Sequence, residues 1–165
     1  MSVFSDYSPD EQGVLTQAIA AAAVMVSVAS PGPKADTVDE GYAAAQYVLG
    51  SLEAYVANTL VSSVIFAIKD RLAAEQPFPD YVEVARAEDA GSRARDRLEA
   101  VAALLAGRTT SEEAEGYKRW LVGIASATAQ AAREDRGFLG HGGVLVSDAE
   151  RAAITEVVRL LGLPG

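Results

Sequence analysis

The stretch Ser8-Pro9-Asp10-Glu11, followed by Gln12-Gly13-Val14-Leu15-Thr16-Gln17-Ala18-Ile19-Ala20-Ala21-Ala22-Ala23-Val24-Met25-Val26-Ser27-Val28-Ala29, decides the fold class. Its opening has the form of a capping box. The serine hydroxyl accepts an orphan amide of the first turn while the glutamate three residues on reaches back to the amide of the cap. Pro9 suits the first helical position, and Asp10 and Glu11 suit the positive end of the helix. Behind the cap, Leu15, Ile19, Ala22 and Val26 fall on one helical face, with Val14, Ala18, Ala21 and Met25 beside them. A helix apolar on nearly all sides is a central helix or lies at a subunit interface. Ser30-Pro31-Gly32-Pro33 ends it, because proline cannot continue the hydrogen-bond ladder.

The same Ser/Thr-x-x-Glu pattern recurs at Thr37-Val38-Asp39-Glu40, Thr110-Ser111-Glu112-Glu113 and Ser147-Asp148-Ala149-Glu150. Each predicts a helix start. From Thr37 a helical stretch is expected to reach about Leu72, with a break near Gly50-Ser51. Its later part, Val56, Leu60, Val64, Phe66, Ala67 and Ile68, is apolar on most sides, and Asn58, Thr59, Ser62 and Ser63 are placed to bond across helices, since buried polar groups normally find partners. Gln76-Pro77-Phe78-Pro79 interrupts the pattern but is too short to mark a domain boundary. A Leu98, Val101, Leu105 stripe then leads to Gly107, read as a C-cap. Trp120, Ile124, Ala127 and Ala131 share a face of the next helix, with Trp120 a core residue. The last helix, Asp148 to Leu161, turns Ile154, Val157, Val158 and Leu161 inward and ends at Gly162. The only hint of strand alternation is the short run Val144 to Ser147. Residues 1–165 therefore read as one all-α domain, a bundle of six or seven helices with a Gly-rich loop before the last helix.

Composition agrees and removes many functions. The chain has 165 residues, half of them hydrophobic, and a formal net charge of −9. Its 32 alanines favour helix and let helices approach closely. With no cysteine there is no disulfide framework, thiolate zinc site or cysteine nucleophile, and a cytoplasmic setting is expected. The single His141 excludes every mechanism that needs two histidines. The Val14–Ala29 run falls short of the roughly 20 apolar residues of a membrane span, so no transmembrane segment is expected. Residues 1–80 carry 10 acidic against 3 basic side chains, and Arg93, Arg95 and Arg97 are diluted by Glu88, Asp89, Asp96 and Glu99. A phosphate-backbone binder needs a basic face, so nucleic acid is not an expected partner.

One segment stands apart. Residues 133–150 read Arg-Glu-Asp-Arg-Gly-Phe-Leu-Gly-His-Gly-Gly-Val-Leu-Val-Ser-Asp-Ala-Glu and place four of the 14 glycines and the only histidine between two helices. Two readings stay open. In one, Gly137 caps a helix and a compact loop tucks Phe138, Leu139 and Val144 under the bundle. In the other, Gly137, Gly140, His141, Gly142 and Gly143 form a small anion or partner site beside the next helix N-terminus. Glu134, Asp135 and Asp148 are the candidate ligands for a hard divalent cation such as Ca²⁺ or Mg²⁺, the only cofactor the chain suggests. No nucleophile-base-orienter set is visible, so no catalytic residue is assigned.

The acidic pair and glycine at one helix end, followed by a hydrophobic-Ser-Asp-x-Glu cap, resemble the helix-turn-helix of the TerB-like (tellurite-resistance type) family. The likeness covers roughly Ala129 to Leu161 and carries Asp135, Gly137, Ser147 and Glu150 onto the family pattern. It departs from that pattern in the Gly-Phe-Leu-Gly-His-Gly-Gly insertion and in Arg136. The resemblance implies an all-helical, acidic, intracellular protein linked to stress or metal-related responses. Taken together, these readings predict a helical interaction or regulatory protein without its own catalysis. It would pair as a homodimer, through Val14–Ala29 or Val56–Ile68, or with a protein partner. The alternative is a small-molecule or metal-ion module centred on residues 137–143.

Overall fold

The computed structural model describes residues 1–131 and 146–164. Among them are seven α-helices and no strand: α1 (Pro9–Ala29), α2 (Lys34–Gly50), α3 (Thr59–Ala73), α4 (Tyr81–Ala85), α5 (Ala90–Arg108), α6 (Ser111–Ala131) and α7 (Asp148–Leu160), preceded by a 3₁₀ turn at Phe4–Asp6. The all-α bundle expected from the sequence is the fold observed.

α1 has the bounds its cap and its terminating prolines predict. The Ser8 hydroxyl accepts the Glu11 amide at 3.3 Å and the Glu11 carboxylate accepts the Ser8 amide at 2.8 Å. Every residue from Ala21 to Ser27 is buried. This is the central helix, packed most extensively on α5 and also on α6, α7, α2 and α4. By length and composition α1 is the one helix among the described residues that could cross a membrane, contrary to the expectation that it is too short; half of that apolar window is buried inside the molecule. Much of the Val14–Ala29 run is packed inside the molecule on α5, α6 and α7.

Two predicted boundaries move. Thr37 does not cap a helix: α2 starts one turn earlier at Lys34, directly after Pro33. Nothing in Lys34-Ala35-Asp36 resists helix, and Thr37 and Glu40 are instead buried against α1 and α4. α5 continues through Gly107 to Arg108, with Thr109 as its cap, so Gly107 is an ordinary helical residue. At the other end of the chain Gly162 does terminate α7. It adopts φ 65°, and the amides of Gly162 and Leu163 return to the carbonyls of Arg159 (3.0 Å) and Val158 (3.1 Å).

The core is continuous across the helices. Leu98, Val101 and Leu105 of α5 are fully buried, as are Tyr117, Trp120, Leu121 and Ile124 of α6. Trp120 meets Tyr117 edge to face at 5.3 Å between ring centres and donates its indole N–H to the Ser51 hydroxyl at 2.8 Å. The Tyr117 hydroxyl donates to the Leu15 carbonyl at 2.9 Å, tying α6 to α1. On α7 the buried stripe is Glu150, Ala153, Val157, Leu160 and Leu161, leaving Ile154 and Val158 half-buried at its edges.

Candidate functional site

Of the residues that the sequence singles out for chemistry, Glu134, Asp135, Gly137, Gly140, His141, Gly142 and Gly143 lie outside the described residues. Asp148 is described. Its side chain is 99% exposed and accepts Arg151 Nη1 at 2.9 Å within the first turn of α7. No group of three or more His, Cys, Asp or Glu side chains that could hold a metal ion exists among the described residues.

Among the described residues, two clusters of polar side chains and a groove between α6 and α7 are the places where such groups gather. In the first cluster, Glu113 at the start of α6 takes the Ser2 amide and the Thr59 hydroxyl at 2.8 Å each, the Thr109 hydroxyl at 3.0 Å and the Thr110 hydroxyl at 3.1 Å. Burial opposes ionisation of this carboxyl, but the hydrogen bonds outweigh it and hold the group at about 2. Thr110 still accepts the Glu113 amide at 3.3 Å, so half of its capping box survives while the glutamate serves α3 and the N-terminal segment. Asn58 joins them by donating to the Glu113 carbonyl at 3.1 Å, and Ser63 accepts the Phe4 amide at 2.8 Å. These are cross-element bonds of the sort expected of Asn58, Thr59 and Ser63; Ser62 bonds only locally, to the Tyr55 carbonyl at 3.0 Å.

The second cluster joins α1, α2 and α4. The Ser27 hydroxyl donates to the Glu40 carboxylate and lies 2.8 Å from the Tyr81 hydroxyl. Burial pushes the Tyr81 phenol well above its ordinary value, the hydrogen bond with Ser27 lowers it in part, and the neighbouring Glu40 charge raises it further. Gly41 makes the approach possible, since a Cβ there would come within 2.5 Å of the Tyr81 ring. Both clusters present acids and hydroxyls, yet the hydrogen bonds named either join elements of the fold or close a helix start. Their chemistry is that of interhelical bonds.

The groove, about 330 Å³, lies between α6 and α7 and is lined by Arg119, Val122, Gly123, Ser126, Val158 and Leu163 among others. That volume is at the lower limit for a small-molecule site. Its polar groups are committed: Arg119 is paired with Glu115 and the Ser126 hydroxyl donates to the Val122 carbonyl at 2.9 Å.

What remains is a surface. The exposed large apolar side chains among the described residues are Met1, Val3, Val28, Val38, Tyr42, Val56, Phe66, Leu72 and Phe78. All precede residue 80, and residues 81–131 and 146–164 contribute none. Tyr42 and Val56 stand 66% and 69% exposed. The sequence reading named Val56 and Phe66 but missed Val38 and Tyr42, because it treated Val38 as part of a helix cap. Compared with known families, with characterised proteins and with solved structures, the chain matches none.

Proposed function

We propose that this chain is a cytoplasmic helical interaction or regulatory protein, with no catalysis of its own, in a stress-related role of the kind the TerB-like resemblance implies. The observation that carries the reading is that, among the described residues, the exposed large apolar side chains all precede residue 80, while the buried acid Glu113 and the Ser27 hydroxyl are engaged in bonds that hold the fold. Scattered apolar residues are normal on any surface, but Val38 and Tyr42, four residues apart, share one exposed face of α2 and offer a contact surface there.

The test is affinity capture with two triple variants that keep the native circular dichroism spectrum. Tyr42→Ser, Val56→Ser and Phe66→Ser together should lose a stoichiometric protein partner. Asp96→Ser, Ala152→Ser and Arg159→Ser, on exposed positions of α5 and α7, should retain it. Equal capture by both would contradict the proposal. A melting temperature that rises with Mg²⁺, Ca²⁺, Zn²⁺ or phosphate, and only while His141 is present, would favour the ligand-binding module centred on residues 137–143 instead.

A further inference from the structure

The Glu113 cluster is assembled around a backbone nitrogen. The Ser2 amide donates to Glu113 Oε1 at 2.8 Å, the Ser2 carbonyl accepts the Thr59 hydroxyl at 3.1 Å, and the Ser2 hydroxyl donates to Thr109 at 3.3 Å. Two residues on, the Phe4 amide donates to Ser63 at 2.8 Å. Met1 contributes far less. Its side chain is 97% exposed, and its nitrogen reaches Glu113 Oε2 only at 3.8 Å, the distance of a loose ion pair and too long for a hydrogen bond. The fold thus grips the chain at residue 2.

The charge at this site is poorly compensated while the gripped nitrogen is an amide. Glu113 is 8% exposed and held in its ionised form, yet the groups that donate to it, one amide and three hydroxyls, are all neutral. A buried carboxylate is compensated best by a cation in direct hydrogen-bond contact. Arg108 does not supply it, since its guanidinium lies over the Tyr7 ring at 5.6 Å and pairs with Glu11 at 3.3 Å. Asp6, the other acid on this segment, takes the Val3 amide at 3.0 Å. A second group is left over as well. The Tyr7 hydroxyl is buried, makes no hydrogen bond of normal geometry, and lies close to Ser2 and Thr109 and within the field of Glu113. An α-ammonium at residue 2 answers both needs: one N–H keeps the bond to Glu113 with a full charge behind it, and two more donors are gained where the Tyr7 oxygen lacks one.

We infer that the Glu113 pocket is a receptor for the α-ammonium of Ser2, formed when a host peptidase hydrolyses the Met1–Ser2 bond. Water adds across that peptide bond, leaving a carboxylate on Met1 and the ammonium on Ser2. In the folded chain Ser2 is half-buried with its amide engaged, so the cut precedes docking of the N-terminal segment on α3 and α6. The inference is independent of the interaction reading above.

The test starts from the chain purified from its native host. Intact mass and N-terminal sequencing should show Ser2 as the first residue, with a free amine; a chain that keeps Met1, or whose Ser2 nitrogen is acetylated, overturns the inference. On the processed chain, acylation of the α-amine is then followed against pH by mass spectrometry of the N-terminal fragment, beside a free Ser-Val-Phe-Ser-Asp peptide. The peptide should show the ordinary α-amino midpoint of about 8 and the chain a midpoint above about 9, which makes its labelling at pH 7 about tenfold slower or more. Steric cover alone would slow labelling without moving the midpoint, and burial alone would move it down. Glu113→Gln should return the midpoint toward that of the peptide. If that variant does not fold, a chain with Met1 retained by chemical ligation supplies the comparison, because its amine meets the carboxylate only at 3.8 Å. A processed chain whose midpoint is at or below that of the peptide, or equals that of the Glu113→Gln or Met1-retaining chain, overturns the inference.

Discussion

Helices α5, α6 and α7 and the region from α2 to the end of α3 solve the same problem in different ways. On α5–α7 the outer faces are charged and paired within the helix, as in Asp89–Arg93 (3.5 Å), Glu115–Arg119 (2.5 Å) and Glu156–Arg159 (2.7 Å), and Arg95 reaches across to Glu156 at 3.6 Å. No large apolar side chain is exposed on them. α2 and α3 have inner faces just as well buried, yet Val38, Tyr42, Phe66 and Leu72 stand outside. Such pairs contribute little stability. The lesson is that the two surfaces differ in what they are available to touch while the core beneath them is shared.

If that contrast holds, substitutions should divide by face. The largest effect is expected inside: Val26→Asp places an unpaired charge in the centre of α1, where Val26 is buried, and should unfold the protein or cost about 3–5 kcal/mol in urea denaturation. Val64→Asp in α3 should do the same, since Val64 is also buried; a stable, folded monomer from either variant would show that the residue lies at an interface. Tyr42→Ser should change stability by less than about 0.5 kcal/mol.

Glu113 comes next. Its folded pKa of about 2 lies below the value of about 4.3 expected of an unfolded glutamate, so its contribution is fully present above that unfolded value and is lost as pH falls toward 2. The acid limb of the stability curve should therefore descend across that window, and Glu113→Gln should flatten it. At pH 7 the variant should also lose roughly 1–3 kcal/mol from its weakened hydrogen bonds.

Gly123→Val sharpens the comparison by probing the joint between the regions. Tyr47 of α2 lies against Gly123 of α6, where an added Cβ would collide with its hydroxyl. Tyr47 and the nearby Tyr55 are both half-buried, and burial first, then hydrogen bonding to Tyr47, pushes the Tyr55 phenol up to about 12. A loss of about 1–3 kcal/mol is expected. The smallest effect belongs to the outer charges: Arg93→Ala should change stability by only about 0.3–0.5 kcal/mol, and less in high salt.

Much of the fold was legible because local chemistry and packing agreed. Ser8 and Ser147 cap the helices they announce, with Glu11 and Glu150 completing both boxes. Thr37 misled because the same four residue types serve a buried contact when the preceding turn can be helical, and nothing in the spacing distinguishes the two. Gly107 misled because helix propensity costs about 1 kcal/mol at most, and α5 absorbs it by packing its Leu98, Val101, Leu105 stripe. The candidate surface was half legible. The outer spacing of α2 is readable in principle, but its inner face is apolar as well, and only the neighbours that cover Ala44 and Val48 reveal which side is left open. The clusters around Glu113 and Ser27 each depend on a bond between residues 54 positions apart, Thr59–Glu113 and Ser27–Tyr81, beyond the reach of motif spacing.

The most direct test is photo-crosslinking in the native host with a benzophenone side chain placed at Tyr42 on α2 or, for comparison, at Asp96 on α5. Both positions are exposed, so each variant should fold normally. A discrete protein adduct from position 42, absent from position 96 and suppressed by adding Val38→Ser, is the predicted result. Indistinguishable adducts from the two positions, or none from position 42, would contradict the account.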